Sequence, residues 1–136
     1  MSSRIVETAT DIVTPFMILF GVYIIINGHL TPGGGFQGGV ILGSCALLIY
    51  VVFGIKRHNK NLSIFENIGA LIFLFIGVLG IFFGGFLFSN FITKGTPGNL
   101  LSGGTIPFIN LAIGLKIGAG FAILFFIILQ YIEKGD

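Results

Sequence analysis

Lys116 is the side chain in this sequence with the strongest claim to chemistry, because the run from Pro107 to Tyr131 carries no other charge. A lysine at the centre of an apolar helix costs about 2.5–3.5 kcal/mol even on the lenient insertion scale. That cost calls for compensation, either as a proton-relay group or as the partner of a carboxylate. Its bland counterparts are a structural ion pair and a side chain that snorkels to one surface. The acids Asp11 and Glu66 fall near the ends of their own apolar runs, so a carboxylate at the depth of Lys116 is expected from a neighbouring subunit. Glu7, Asp11 and Glu66 could gate a cation at a membrane face, or simply mark solvated helix ends that complement the dipole. A second polar group, Asn27, His29 and Gln37, flanks the glycine-rich run Pro32-Gly33-Gly34-Gly35-Phe36-Gln37-Gly38-Gly39. His29 could titrate near neutral pH or hold a structural hydrogen bond. Asn27 and Gln37 have carbonyl oxygens that could meet a cation or tie down the backbone. The glycines themselves read two ways, as a backbone-lined ion element or as a tight turn that lets two helices pack closely. Pro32-Gly33 favours a type II turn, and Gly33, Gly34 and Gly35 permit positive φ. No Gly-Lys-Ser/Thr follows, so this is not a Walker loop.

Other chemistries lack their residues. The single cysteine, Cys45, excludes an internal disulfide framework and a Cys-rich metal or iron–sulfur site. No nucleophile sits with a base, and no haem or zinc ligand set is present. The expectation is a chain without catalytic residues, metal or cofactor of its own. Seven Lys/Arg against five Asp/Glu give a net charge of +2, too little for a nucleic-acid footprint.

The elements that must position these residues are membrane helices. The hydrophobic fraction is 54% and the charged fraction 9%, against roughly 25% charged in soluble proteins. A span needs about 20 residues, and four apolar runs qualify: 3–27, 36–55, 64–88 and 107–131. Thr14-Pro15 resembles a helix start. Yet Pro15 to Gly28 would reach only about 21 Å, against about 30 Å of hydrocarbon. The first helix should therefore begin earlier and kink at Pro15. In its first turns Ile5, Val6, Ala9, Ile12 and Val13 keep helical spacing while Arg4, Glu7 and Asp11 share the other face. The acidic residues at the N-terminus argue against a cleavable leader. Four spans place both termini and the Lys56–Glu66 connection on one side, with Arg4, Lys56, Arg57, Lys60 and Lys134, while the other side holds Lys94. That asymmetry predicts cytoplasmic termini, and it removes the Asn61-Leu62-Ser63 sequon from consideration. The expected fold is thus an all-α membrane protein of four transmembrane helices, one domain over residues 1–136, with both termini cytoplasmic.

Small residues recur at packing intervals: Gly35, Gly39 and Gly43; Gly80 and Gly84; Gly114 and Gly118. The last span adds Ala112, Ala119 and Gly120 on nearly the opposite face. A helix that is small on two sides should be surrounded by protein, so partner subunits are expected.

The run Asn27-Gly28-His29-Leu30-Thr31-Pro32-Gly33-Gly34-Gly35-Phe36-Gln37-Gly38-Gly39 resembles the signature of the MnhB/MrpB family, in which Gly-His, a spacer, Pro-Gly-Gly-Gly-Phe and Gly-Gly lie between the first two of four spans. Length, span count and motif position agree over essentially the whole chain. The resemblance implies a small, non-catalytic subunit of an Mrp-type multisubunit Na⁺/H⁺ antiporter in a prokaryotic cell membrane. Its partners would be other membrane subunits and the bilayer, and Na⁺ and H⁺ the transported ions. Related modules occur in archaeal membrane-bound hydrogenase and sulfane reductase complexes, which supply the alternative, and a purely structural scaffold is the third reading. Lys116, in Gly114-Leu115-Lys116-Ile117-Gly118, stands where typical bacterial antiporter B subunits carry an acid, so that residue's role does not transfer directly and the archaeal respiratory version is a serious contender.

Overall fold

In the computed structural model, which describes residues 3–54, 60–92, 95–100 and 102–135, four helices follow one another. They are α1 (Arg4–Ile26), α2 (Gly35–Phe53), α3 (Lys60–Gly84) and α4 (Ile106–Gly135). All four are long and apolar enough to cross a membrane, and the described residues contain no strand. The chain is an all-α, multi-pass membrane protein. Ile55, Lys56, Arg57 and Lys94, which entered the reading of the second span and of the charge asymmetry, lie outside the described residues.

α1 begins well before its proline. The Ser3 hydroxyl accepts from the Val6 amide at 3.4 Å as an N-cap, and the helix runs through Pro15 without ending. The buried edge of α1 is Thr10, Gly21 and Ile25, whereas Ile5, Phe16 and Leu19 point outward. The Thr10 hydroxyl is satisfied by donating to the Val6 carbonyl at 2.8 Å. The apolar stripe therefore looks away from the protein, which is stable in a bilayer because lipid tails are as apolar as a core.

α4 is the centre of the arrangement. It packs against α2 on one side and α3 on the other, while α1 lies along α2 and touches α4 near its own C-terminal end. Ile25 makes that touch, resting on Gly38 and Gly114. Among the described residues the backbone of α3 approaches neither α1 nor α2, although Leu62 packs against the cluster of Tyr50, Ala122 and Phe126. The α2–α4 approach is backbone to backbone: a Cβ at Gly39 would lie 2.9 Å from the Gly114 carbonyl oxygen, and one at Gly43 3.1 Å from that of Gly118. On the opposite side, a Cβ at Gly69 would lie 2.7 Å from the Lys116 amide nitrogen. The two small-residue faces of α4 are therefore filled by the chain's own α2 and α3. This corrects the ground on which the sequence pointed to outside neighbours at those faces.

The third helix runs over Lys60–Gly84 rather than 64–88. Its polar first turn belongs to the helix because hydropathy marks the span and not the hydrogen-bonded element. It ends where Gly85 takes φ +79°, its amide bonded to the Ile81 carbonyl at 3.1 Å. The chain then turns back on itself. The Phe88 amide donates to the Gly77 carbonyl at 3.3 Å, and its ring stacks on Phe73 with centroids 4.7 Å apart. Ser89 fills the space over Gly80 and Gly84. Those two glycines thus receive a returning loop, not the helix that their spacing suggested.

Candidate functional site

The close approach at Gly69 brings Glu66, three residues earlier on α3, beside Lys116. The Lys116 Nζ lies 3.7 Å from the Glu66 Oε1. This overturns the expectation that a carboxylate at the depth of Lys116 must come from another subunit. Glu66 looked like a helix-end acid when the span was taken to start at residue 64. With α3 starting at Lys60 it stands almost two turns inside, and the stagger of α3 against α4 sets it opposite the middle of α4. A Cβ at Gly120 would lie 3.4 Å from the same Oε1, so Lys116 and Gly120, one turn apart, frame the carboxylate. A contact of 3.7 Å exceeds the roughly 2.7–2.9 Å of a tight charge-assisted hydrogen bond. The ammonium therefore keeps donors, and the carboxylate lone pairs, for other partners. Both side chains stay open, 44% exposed for Lys116 and 35% for Glu66.

The second polar group gathers at the N-terminal end of α4, about 15 Å along the helix axis from Lys116 at 1.5 Å per residue. Asn90 organises it: its Oδ1 accepts from the Thr105 amide at 3.1 Å and its Nδ2 donates to the Gly103 carbonyl at 3.3 Å. Asn90 thereby satisfies donors that a helix start leaves open. His29 packs into this loop, where a Cβ on Gly103 would lie 2.9 Å from its ring. Both His29 ring nitrogens are buried with no hydrogen-bond partner among the described residues.

Asn27 ties down backbone, as the C-cap of α1 whose Nδ2 donates to the Tyr23 carbonyl at 3.0 Å. The hydrogen-bonded turn lies at Asn27–Thr31, with the Leu30 and Thr31 amides both donating to the Asn27 carbonyl. No such bond closes across Pro32-Gly33 among the described residues, where the chain bends at Thr31 and Pro32. Of the three glycines only Gly33, at φ +130°, takes a conformation that favours glycine, Gly34 being extended at φ 168°. Gly34 is the N-cap of α2, and Gly35, Gly38 and Gly39 are buried against Asn110, Ile25 and Gly114 respectively. Close packing accounts for Gly35, Gly38 and Gly39, whereas a Cβ at Gly34 would make only ordinary contacts, from 3.6 Å. Pro32 and Gln37 are exposed, and Asp11 is exposed on α1, which has no contact with α3 among the described residues. The structure therefore joins Lys116 to Glu66 and sets His29 and Asn27 in a separate group, with Asp11 in neither. Sequence reasoning missed Asn90 and Asn110, whose amide lies over Gly28 and Gly34, and the buried hydroxyls of Thr14 and Tyr50, which find no hydrogen-bond partner among the described residues. An asparagine in a loop carries no pattern that would announce such a role. No group of three His, Cys, Asp or Glu that could hold a metal occurs among the described residues.

Comparison with known proteins gives these positions a context. Residues 5–123 match the family described as a domain related to the MnhB subunit of Na⁺/H⁺ antiporter. An uncharacterized protein of Methanocaldococcus jannaschii is 35% identical, over 88% of this chain and 52% of its own length. A Staphylococcus aureus (strain Newman) protein named for an antiporter subunit, mnhB2, is 33% identical over 59% of this chain and 60% of its own. Among solved structures, a chain of the membrane-bound sulfane sulfur reductase, an archaeal respiratory membrane complex, is similar with a TM-score of 0.79 and 32% identity. That likeness covers 92% of this chain and 57% of the other. The chain thus spans roughly half to three-fifths of the length of the relatives it matches.

Proposed function

The chain belongs to the family of domains related to the MnhB subunit of Na⁺/H⁺ antiporters, and from that premise we propose that it is a non-catalytic subunit of an Mrp-type Na⁺/H⁺ antiporter module in a prokaryotic cell membrane. It joins other membrane subunits there and contributes polar side chains to the path of Na⁺ or H⁺. The observation that carries an ion-path role is the Glu66–Lys116 pair, two opposite charges 3.7 Å apart within membrane-spanning helices. Ionisable residues at that depth mark ion and proton routes, and a loose pair can exchange its partner for a passing ion or proton. The chain does not move ions alone, because two helices packed on either side of α4 leave no midplane site enclosed between repeats. Both termini face the cytoplasm, on the excess of Lys and Arg on that side.

The test is purification of the complex in mild detergent, identification of its subunits, and reconstitution in liposomes. Na⁺-dependent proton movement is expected from the complex and not from the isolated chain. Robust exchange by the isolated chain, or none from a complete complex, would overturn the reading. Thiol labelling checks the orientation, with Lys134→Cys reactive from inside and Thr96→Cys from outside.

A second reading is favoured by the structural likeness to the sulfane sulfur reductase chain. In it the same subunit serves an ion-translocating module of a respiratory complex. Iron–sulfur subunits in the purified complex would select this version.

A further inference from the structure

We propose that the Glu66–Lys116 pair is a proton site and not a Na⁺ site: the Glu66 carboxylate takes up and releases H⁺ on the side left open by Gly120, while Lys116 stays charged beside it. The inference rests on the reading of the pair as part of an ion path, and it names the ion.

Na⁺ sheds water when it enters a membrane protein, and oxygens must replace that shell. Transporters supply them from unwound helices, whose backbone carbonyls are free to coordinate. Here the pair stands in two unbroken helices, α3 and α4, whose carbonyls are committed to the helix itself. Side chains add little. Between Asn110 and Gln130 the one polar side chain of α4 is Lys116. On α3 the Ser63 hydroxyl lies one turn before Glu66, and no residue from Ile68 to Gly84 bears a side-chain oxygen. Asn67, adjacent in sequence, faces another direction. The backbones of α1 and α2 do not approach α3 among the described residues. A Na⁺ at Glu66 would thus meet one carboxylate and one hydroxyl, with the Lys116 ammonium 3.7 Å from Oε1. Like charges at that range repel, and the repulsion grows as the dielectric falls.

A proton needs only one lone pair. The 3.7 Å contact is too long for a tight charge-assisted hydrogen bond, so the carboxylate keeps lone pairs free. Its open side is at Gly120, where a Cβ would lie 3.4 Å from Oε1 and 3.5 Å from Cδ, and glycine leaves that place empty. Water in an ion path reaches the carboxyl there. The carboxylate accepts H⁺ from a hydronium ion, leaving water and a neutral acid, and returns H⁺ to water to become a carboxylate again. Lys116 keeps its own proton through both steps. It is the one charge that α4 sets against Glu66, and none of Leu62, Ser63, Gly69 and Ala70, one turn either side on α3, is charged. When the proton has left, the ammonium offsets the cost of an ionised acid at membrane depth.

The experiment uses the purified complex and two measurements. Infrared difference spectra between acidic and neutral pH should show a protonated-carboxyl band in the wild type that Glu66→Gln removes. Calorimetric titration with Na⁺ should give the same affinity and the same number of bound ions in both. A lost Na⁺ ligand would instead lower that affinity at least about tenfold, since even outer-shell partners of a metal are worth that much. In liposomes Glu66→Gln should lower Na⁺-dependent proton movement about a hundredfold, the lower end of what positioned acid–base groups contribute. Lys116→Arg, which keeps the charge, should retain the band and most of the exchange. Should Glu66→Gln fail to assemble, Glu66→Asp keeps a carboxyl, and the band should then move and not vanish, with Na⁺ affinity again unchanged. No band that depends on Glu66, weakened Na⁺ binding, or near-native exchange in Glu66→Gln would overturn the proposal. A complete complex that shows the band but no exchange would sink the antiporter reading and keep the proton site. Exchange with Na⁺ affinity lowered by Glu66→Gln would do the reverse.

Discussion

The two flanks of α4 use the same device for different ends. Towards α2 the contact is a stripe, with Gly35, Gly39 and Gly43 meeting the α4 backbone at Asn110, Gly114 and Gly118. Towards α3 it narrows to Gly69, against the Ala112 carbonyl and the Lys116 amide, and beside it stands an ion pair. The first flank is complete within the chain, since every close approach has backbone on both sides. The second packs along its length mainly through side chains, has its tight backbone approach at Gly69, and leaves charges at its rim. In lipid, where association depends on packing and not on expulsion of apolar surface, the glycine stripe is the structural flank and the charged rim is the one left open to chemistry.

The largest effect should come from the glycine stripe. Gly39→Leu must displace the backbone of α4 and not a flexible side chain. Overpacking of this kind costs about 1–3 kcal/mol or more. The ratio of folded to misfolded chain recovered from membranes should fall about five- to a hundredfold, since 1.4 kcal/mol is one decade, and size exclusion in detergent would show it. Full recovery would mean that the stripe does not hold α2.

Next comes Gly69→Leu, which pushes α3 off α4 and should leave the α1–α2–α4 packing intact. Protease cutting of the 85–100 segment should accelerate several-fold, while thiol labelling of the buried Cys45, between α1 and α2, stays slow. Fast labelling of Cys45 would show that the flanks are not independent.

The ion pair should matter more to transport than to folding. Lys116→Ala should lower Na⁺-dependent proton movement by the complex about a hundredfold, the lower end of what positioned acid–base groups contribute. Lys116→Arg, which keeps the charge, should lose less. Glu66→Ala strands the lysine, so the double variant Glu66→Ala/Lys116→Ala should be less impaired in assembly than the product of the single effects predicts, the coupling expected of residues in contact. Equal, near-native transport in the alanine and arginine variants would reduce the pair to a structural feature.

The smallest effect is a calibration. Gly54 closes α2 in the left-handed region at φ +64°, and a Cβ placed there would meet nothing within 4 Å. Gly54→Ala should therefore cost only the backbone penalty of about 1–2 kcal/mol, and Gly54→Asn less, since asparagine tolerates that region. A loss from Gly54→Ala as large as from Gly39→Leu would show that conformational strain, not contact, governs glycine effects in this protein.

Short-range physics controls what could be read from the chain alone. Twenty or so apolar residues in a row cannot sit in a bilayer without satisfying their backbone internally, so four helices and a membrane were legible from composition. Lys116 stood out because its cost does not depend on its neighbours, and the run Pro32 to Gly39 because its glycines are too many for chance. Whatever depends on how one helix is set against another was settled by packing. The turn-back at Gly85, the filling of Gly80 and Gly84 by Ser89, and the seating of His29 under Gly103 leave no periodic trace in the chain. The partner of Lys116 is the clearest case. Sequence distance from a hydropathy boundary put Glu66 at a membrane surface, whereas the close approach permitted by Gly69 and the stagger of α3 along α4 put it beside the lysine. Depth in a membrane is set by packing against neighbouring helices, and a stagger of one turn, about 5.4 Å, is enough to turn a solvated helix end into half of an ion pair.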